Sequence, residues 1–146
     1  MDPQKQLYID LLEQLKDEIS SYKNEKNIWK TEGSVLNSSG NLCLHICGNL
    51  NHFYGATIGN TGYVRDRDLE FSNKNVSREV LLKGVDDTIA MMKKVLVGIS
   101  EENLKDIYPL DVFGKDISIA FVISRLISHL AYHLGQINYN RRLTDN

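Results

Sequence analysis

The chain has 146 residues, of which 42% are hydrophobic and 25% charged; that length and balance suit one soluble globular domain, residues 1–146, with a core of its own. A formal net charge of −2 and a pI near 6.1 give no general attraction to phosphate backbones or anionic lipid, which disfavours nucleic acid and membrane surfaces as partners. No stretch approaches the roughly 18 apolar residues of a membrane span, and the N-terminus lacks a basic-then-apolar signal, so a cytoplasmic location is expected.

Asp2-Pro3 reads as a helix start, with Asp as the N-cap and Pro at the first helical position, where its missing N–H costs nothing. Leu7, Leu11, Leu15, Ile19 and Tyr22 recur at helical spacing and predict a first helix out to about Trp29. Gly33 and the polar cluster Asn37-Ser38-Ser39-Gly40 break it and offer caps for the next. A second helix is predicted from about Ser39 to Ile58, apolar on more than one face, with a polar stripe of His45, Asn49 and His52. Cys43 and Cys47 stand one turn apart on it, where a helix holds side chains parallel; free thiols in a reducing compartment are expected.

From Gly59 to Asn75 no period is sustained, and a loop is expected, packed down by Tyr63, Val64, Leu69 and Phe71. Arg65 and Arg67 could hold an anionic substrate near a site mouth, or pair with the acids of their own loop at the surface. Ser77 caps a third predicted helix running to about Ile99. Ser100 to Lys115, with Tyr108-Pro109 and Gly114, reads as a connector that includes a short extended piece; Asp116 then caps a fourth helix reaching about Leu143.

On the fourth helix His129, His133, Gln136 and Asn140 form one stripe, with Arg125 a turn before it. An ordinary solvent face would be Lys and Glu; imidazoles and amides suggest a site. Two histidines one turn apart can aim ring nitrogens at a single ion, or can be polar residues satisfied inside a bundle. Ser124, Ser128, Ala131 and Gly135 make a stripe of small residues that would let another helix approach closely; a homodimer contact is expected there, with packing inside the bundle as the competing use.

Four amphipathic helices with long connections after the second and third make the expected fold all-α, a four-helix bundle. If the second and fourth helices are neighbours, His45 or His52 can complete a site with His129 and His133. These two candidates are about 10 Å apart along the helix axis, so one ion can take only one of them, and periodicity does not choose.

Three stretches carry a family resemblance: Ser39-Gly-Asn-Leu-Cys-Leu-His45-Ile-Cys-Gly-Asn-Leu, Gly62-Tyr-Val-Arg-Asp-Arg-Asp-Leu-Glu-Phe71 and His129-Leu-Ala-Tyr-His133-Leu-Gly-Gln136-Ile-Asn-Tyr. In their order and spacing they resemble the DinB-like metal-binding four-helix bundles, and within them an uncharacterised branch, DUF1572. The resemblance covers nearly the whole chain. It implies a divalent metal ion held by His45, His129 and His133, with His52 left as a pocket residue; three imidazoles accept zinc, nickel, copper, cobalt or iron, with zinc or nickel first among the candidates. It also implies thiol-dependent transferase-type chemistry with a low-molecular-weight thiol as a possible small-molecule substrate.

Three imidazoles with open positions are the coordination of a catalytic rather than a closed structural site. No carboxylate stands at helical spacing from the three histidines to act as general base; Asn49, Gln136, Tyr132 and Tyr139 are the polar groups within reach. That favours a substrate carrying its own nucleophile over plain hydrolysis. A metal-dependent hydrolase and a non-catalytic metal-binding dimer are the competing readings. A nucleic-acid role finds no basic stripe, zinc-finger spacing or aromatic-basic interleaving.

Overall fold

Five α-helices account for most of the described residues, 2–146, in a computed structural model of the chain: α1 (Pro3–Ser20), α2 (Ser39–Leu50), α3 (Arg67–Ser72), α4 (Arg78–Gly98) and α5 (Ile119–Thr144). Among these residues there is no β-strand beyond one isolated bridge, Ile107 to Ser118, so the chain is all-α. The four long helices close a ring in which α1 packs on α4 and α5, and α2 packs on the same two from the other side. α2 and α5 are therefore neighbours although their sequences are far apart. The short α3 lies against α2. Among the described residues no helix is long and apolar enough to cross a membrane.

The apolar stripes produce this packing, with local corrections. On α1 the buried side chains are Tyr8, Ile9, Leu12, Leu15 and Ile19, whereas Leu7 is about half exposed. Steps of four advance 400°, so a stripe read every fourth residue drifts some 40° per step, and Leu7 falls off the face. Asp2 caps the helix, accepting from the Lys5 N–H at 3.0 Å, as its sequence predicts. The helix ends at Ser20 rather than near Trp29 because a distant residue takes the chain: the buried Asp145 carboxylate accepts from the Lys23 and Asn24 backbone N–H groups at 2.6 and 3.1 Å. A 3₁₀ turn, Glu25–Trp29, follows and lays Trp29 over Gly40, where a Cβ would stand only 2.8 Å from the ring.

α2 is buried nearly all round and continues into a π turn, Asn51–Ala56, closed by wide bonds such as Thr57 N–H to the His52 carbonyl. Cys43 and Cys47 are free thiols on it. α4 matches its expected span within a residue, with Ser77 accepting from the Val80 N–H. The connector before α5 holds two 3₁₀ turns, and its extended piece is the single bridge, in which Tyr108 N–H donates to the Ile117 carbonyl and Ile119 N–H to the Asp106 carbonyl. That pairing keeps 116–118 out of the helix: Ser118, not Asp116, caps α5, accepting from the Phe121 N–H at 3.2 Å, and Asp116 lies at φ 55°.

Candidate metal centre

Four residues on three helices meet where α2, α3 and α5 converge. His45 projects from the buried face of α2 and is 5% exposed; His129 and His133 project from α5, one turn apart and half-buried. The His45 and His129 Nε2 atoms are 3.2 Å apart and the His129 and His133 Nε2 atoms 3.0 Å apart. One ring nitrogen from each of the three lies within 4.8 Å of the others. Imidazole nitrogens sharing one tetrahedral ion at about 2.0–2.1 Å stand about 3.3–3.4 Å from one another, close to this spacing.

The outward nitrogens decide which tautomers face inward. His45 Nδ1 is 2.9 Å from Glu70 Oε1, and an ionised carboxylate only accepts, so the proton sits on Nδ1 and Nε2 presents a lone pair. His133 Nδ1 likewise donates to Gln136 Oε1 at 2.7 Å, which bares its Nε2. His129 Nε2 faces both. Its single N–H can satisfy one of the two lone pairs and leaves the other opposed, whereas a cation between them would take all three. The donor set fits a divalent metal: neutral imidazoles, two of them oriented by outer hydrogen bonds of the kind that fix metal-ligating histidines. Burial lowers the pKa of His129 to about 4, with the neighbouring His133 and His45 adding to the effect, and burial also lowers that of His133. Both α5 imidazoles are therefore held toward the neutral form that ligation requires.

Glu70 is the residue that helical periodicity does not reveal. The Gly59–Asn75 stretch, expected to be a loop pinned by apolar side chains, contains α3 instead, and its anchor is this carboxylate, 6% exposed, while Val64 is 88% and Leu69 48% exposed. Phe71 does pack down, its ring 4.8 Å from that of His45. Burial pushes the Glu70 pKa up, but hydrogen bonds from Arg65 and His45 and the Arg65 charge outweigh it and leave the carboxyl below its usual range. Arg65 grips it with two bonds of 2.8 Å, Nε to Oε2 and Nη2 to Oε1. The carboxylate rests on Gly48 of α2, where a Cβ would come within 2.0 Å of Oε2. Two local signals mark this arrangement: Asp66 accepting from the Leu69 N–H caps a helix with acids in its first turn, and a glycine in the middle of a buried helix marks a close approach.

A cavity of about 560 Å³ opens over His45 and His129. Asn49, Tyr132, Arg65 and Arg67 line it, and so do Arg125, Phe53, Phe113, Val112 and Leu126. Asn49 is buried and Tyr132 is 64% exposed, at the rim. Gln136 lies on the far side of His133, Tyr139 is beyond it, and both line a separate groove with Leu36 and Leu143. His52 stands outside the cavity lining, at the start of the π turn, its ring against Phe53 with centroids 4.8 Å apart; burial and the Arg65 charge lower its pKa.

An all-helical chain with three histidines from two neighbouring helices that could hold a metal ion is the class these features define. The chain belongs to the family described as "Protein of unknown function (DUF1572)", whose model matches residues 4–146. No curated protein matches it.

Proposed function

We propose that the chain is a DinB-like four-helix bundle in which His45, His129 and His133 hold one divalent metal ion, zinc or nickel first, for thiol-dependent transferase-type chemistry on a small molecule. The observation that carries this reading is the convergence of three ring nitrogens, two of them with their lone pairs fixed inward, beside a cavity that His45 and His129 line and that is large enough for a small substrate. An ion held there supplies Lewis acidity and lowers the pKa of a thiol or water that meets it. Among the described residues Glu70 is the only carboxylate bonded to the cluster, and Arg65 and His45 occupy both of its oxygens, so it orients His45 rather than accepting a substrate proton. A reaction whose nucleophile arrives with its own acidic proton, such as a thiol, suits a site without a free base. Asn49, Ser128 and Tyr132 are the neutral polar groups on the cavity lining, placed to orient what binds.

A homodimer through α5 belongs to the same proposal. Ser124, Ser128, Ala131 and Gly135 face outward rather than into the ring, flanked by Phe121, Tyr132 and Tyr139 at 50 to 67% exposure. Small residues among exposed aromatics form the kind of face that a second helix covers. Two free thiols suit a cytoplasmic setting. The test is elemental analysis of untagged protein purified without chelators, wild type beside His45→Ala, His133→Ala and His52→Ala. One ion per chain, lost with His45 or His133 and kept with His52, followed by turnover of electrophiles only when a thiol is added, supports the proposal. Protein that takes up neither zinc nor nickel on soaking overturns it, and turnover without a thiol shifts it to hydrolysis.

A further inference from the structure

We infer that the cavity over the histidines takes a small organic acid, its acidic group held by Arg67 and Arg125 and its apolar body by Phe53, Phe113 and Leu126; as the substrate class of the reaction, this rests on the metal-site reading above. The first argument is charge. The chain has six arginines and a net charge of −2, yet three of the six line this one cavity, and none of its lining residues is acidic. Glu70, the carboxylate bonded to His45, lines a different groove.

The second argument is which of the three cations is free. Arg65 is committed to Glu70 through two bonds. Among the described residues, Arg67 and Arg125 form no ion pair and no side-chain hydrogen bond, and both are exposed at the cavity. The Arg67 guanidinium carbon lies over the Phe71 ring, 5.2 Å from its centroid, a cation–π contact that uses none of its N–H groups. Unspent planar forks of this kind match carboxylate and phosphate oxygens two at a time. The third argument is the remaining wall, aromatic and aliphatic, which has no use for a bare inorganic ion but matches an acid carrying a hydrophobic group. With the acid on the arginines, the body of the molecule lies along the His45 and His129 side of the cavity.

The experiment is calorimetric titration of the full chain with phenylacetate and with phenylacetamide, its uncharged isostere, in metal-loaded and chelator-stripped protein. Phenylacetate is expected to bind at least about ten-fold more tightly than the amide, and Arg67→Met and Arg125→Met, both surface changes that leave the Arg65–Glu70 pair intact, each weaken phenylacetate by about ten-fold without moving the amide. Retention of that preference in stripped protein places the acid on the arginines even if the metal reading fails. Loss of phenylacetate binding on stripping, with the arginine variants unaffected, puts the anion on the ion and overturns the inference while the metal site stands. Equal affinity for acid and amide overturns it outright.

Discussion

Gly48→Ala tests the packing that seats Glu70. A Cβ at residue 48 would lie 2.0 Å from Glu70 Oε2 and 2.6 Å from its Cδ, so the carboxylate must leave its seat. Its departure breaks the two Arg65 bonds and the His45 bond and strands buried polar groups. Breaking a buried charged cluster costs about 3–5 kcal/mol, while alanine gains about 1 kcal/mol over glycine inside a helix. The net is a loss of about 2–4 kcal/mol, on the order of 10 °C in melting temperature for a chain of this size. Gly84→Ala on α4 is the control, because nothing lies within 4 Å of its added Cβ; it gains the propensity alone, about 1 kcal/mol. Thermal and urea unfolding of chelator-stripped protein, followed by far-ultraviolet circular dichroism, compares the two. If Gly48→Ala melts at or above wild type, as Gly84→Ala should, Glu70 is not seated on α2 and its role in orienting His45 falls.

Glu70→Gln keeps the shape but gives up the charge, and a lost outer partner of a ligating histidine weakens metal by about 10–100-fold; competition with a metal-indicator dye reads it, and unchanged affinity would show that His45 needs no such partner. Stability of the stripped protein should fall with acid in two stages. His129 titrates near 6.5 when unfolded and about 4 when folded; the unfolded chain binds the extra proton between those values, so stability drops as pH falls from about 6.5 to about 4. Glu70, with its folded pKa held below the 4.5 of a free glutamate, adds stability above that value that is lost as pH falls through its folded pKa. Urea midpoints measured across this range check the slope, and a flat profile between pH 6.5 and 5 would count against a buried neutral His129. Ser118→Ala should cost about 1 kcal/mol as a lost N-cap, whereas Asp116→Gly should cost nothing, since Asp116 has positive φ and no capping bond; equal losses would place the cap at 116 after all.

The long helices and half of the centre were legible in the sequence for a physical reason: both are short-range patterns. α4 follows from its stripe and from Ser77, and the pairing of His129 with His133 follows from the helical pitch alone. The choice of His45 over His52 came from family likeness, because pitch puts both on one face. What stayed hidden depends on contacts between distant residues. Asp145 ends α1 across more than 120 positions, the bridge from Ile107 moves the α5 cap to Ser118, and Glu70 reaches His45 across 25. A buried carboxylate in a charged, aperiodic stretch looks like solvated loop until its partner is known. Gly48 was the trace that its partner left on α2.

The span between His45 and His129 has a bearing on how the chain folds. The two meet across 84 positions of sequence, whereas His129 and His133 come together as soon as one helix turn forms. An ion captured early would find only the α5 pair and bind weakly. Closing the third ligand costs the entropy of an 84-residue loop, and that cost is met only when α2, α4 and α5 have already assembled. Metal would therefore stabilise the assembled chain far more than any fragment of it, acting as a late staple between the first third of the sequence and the last.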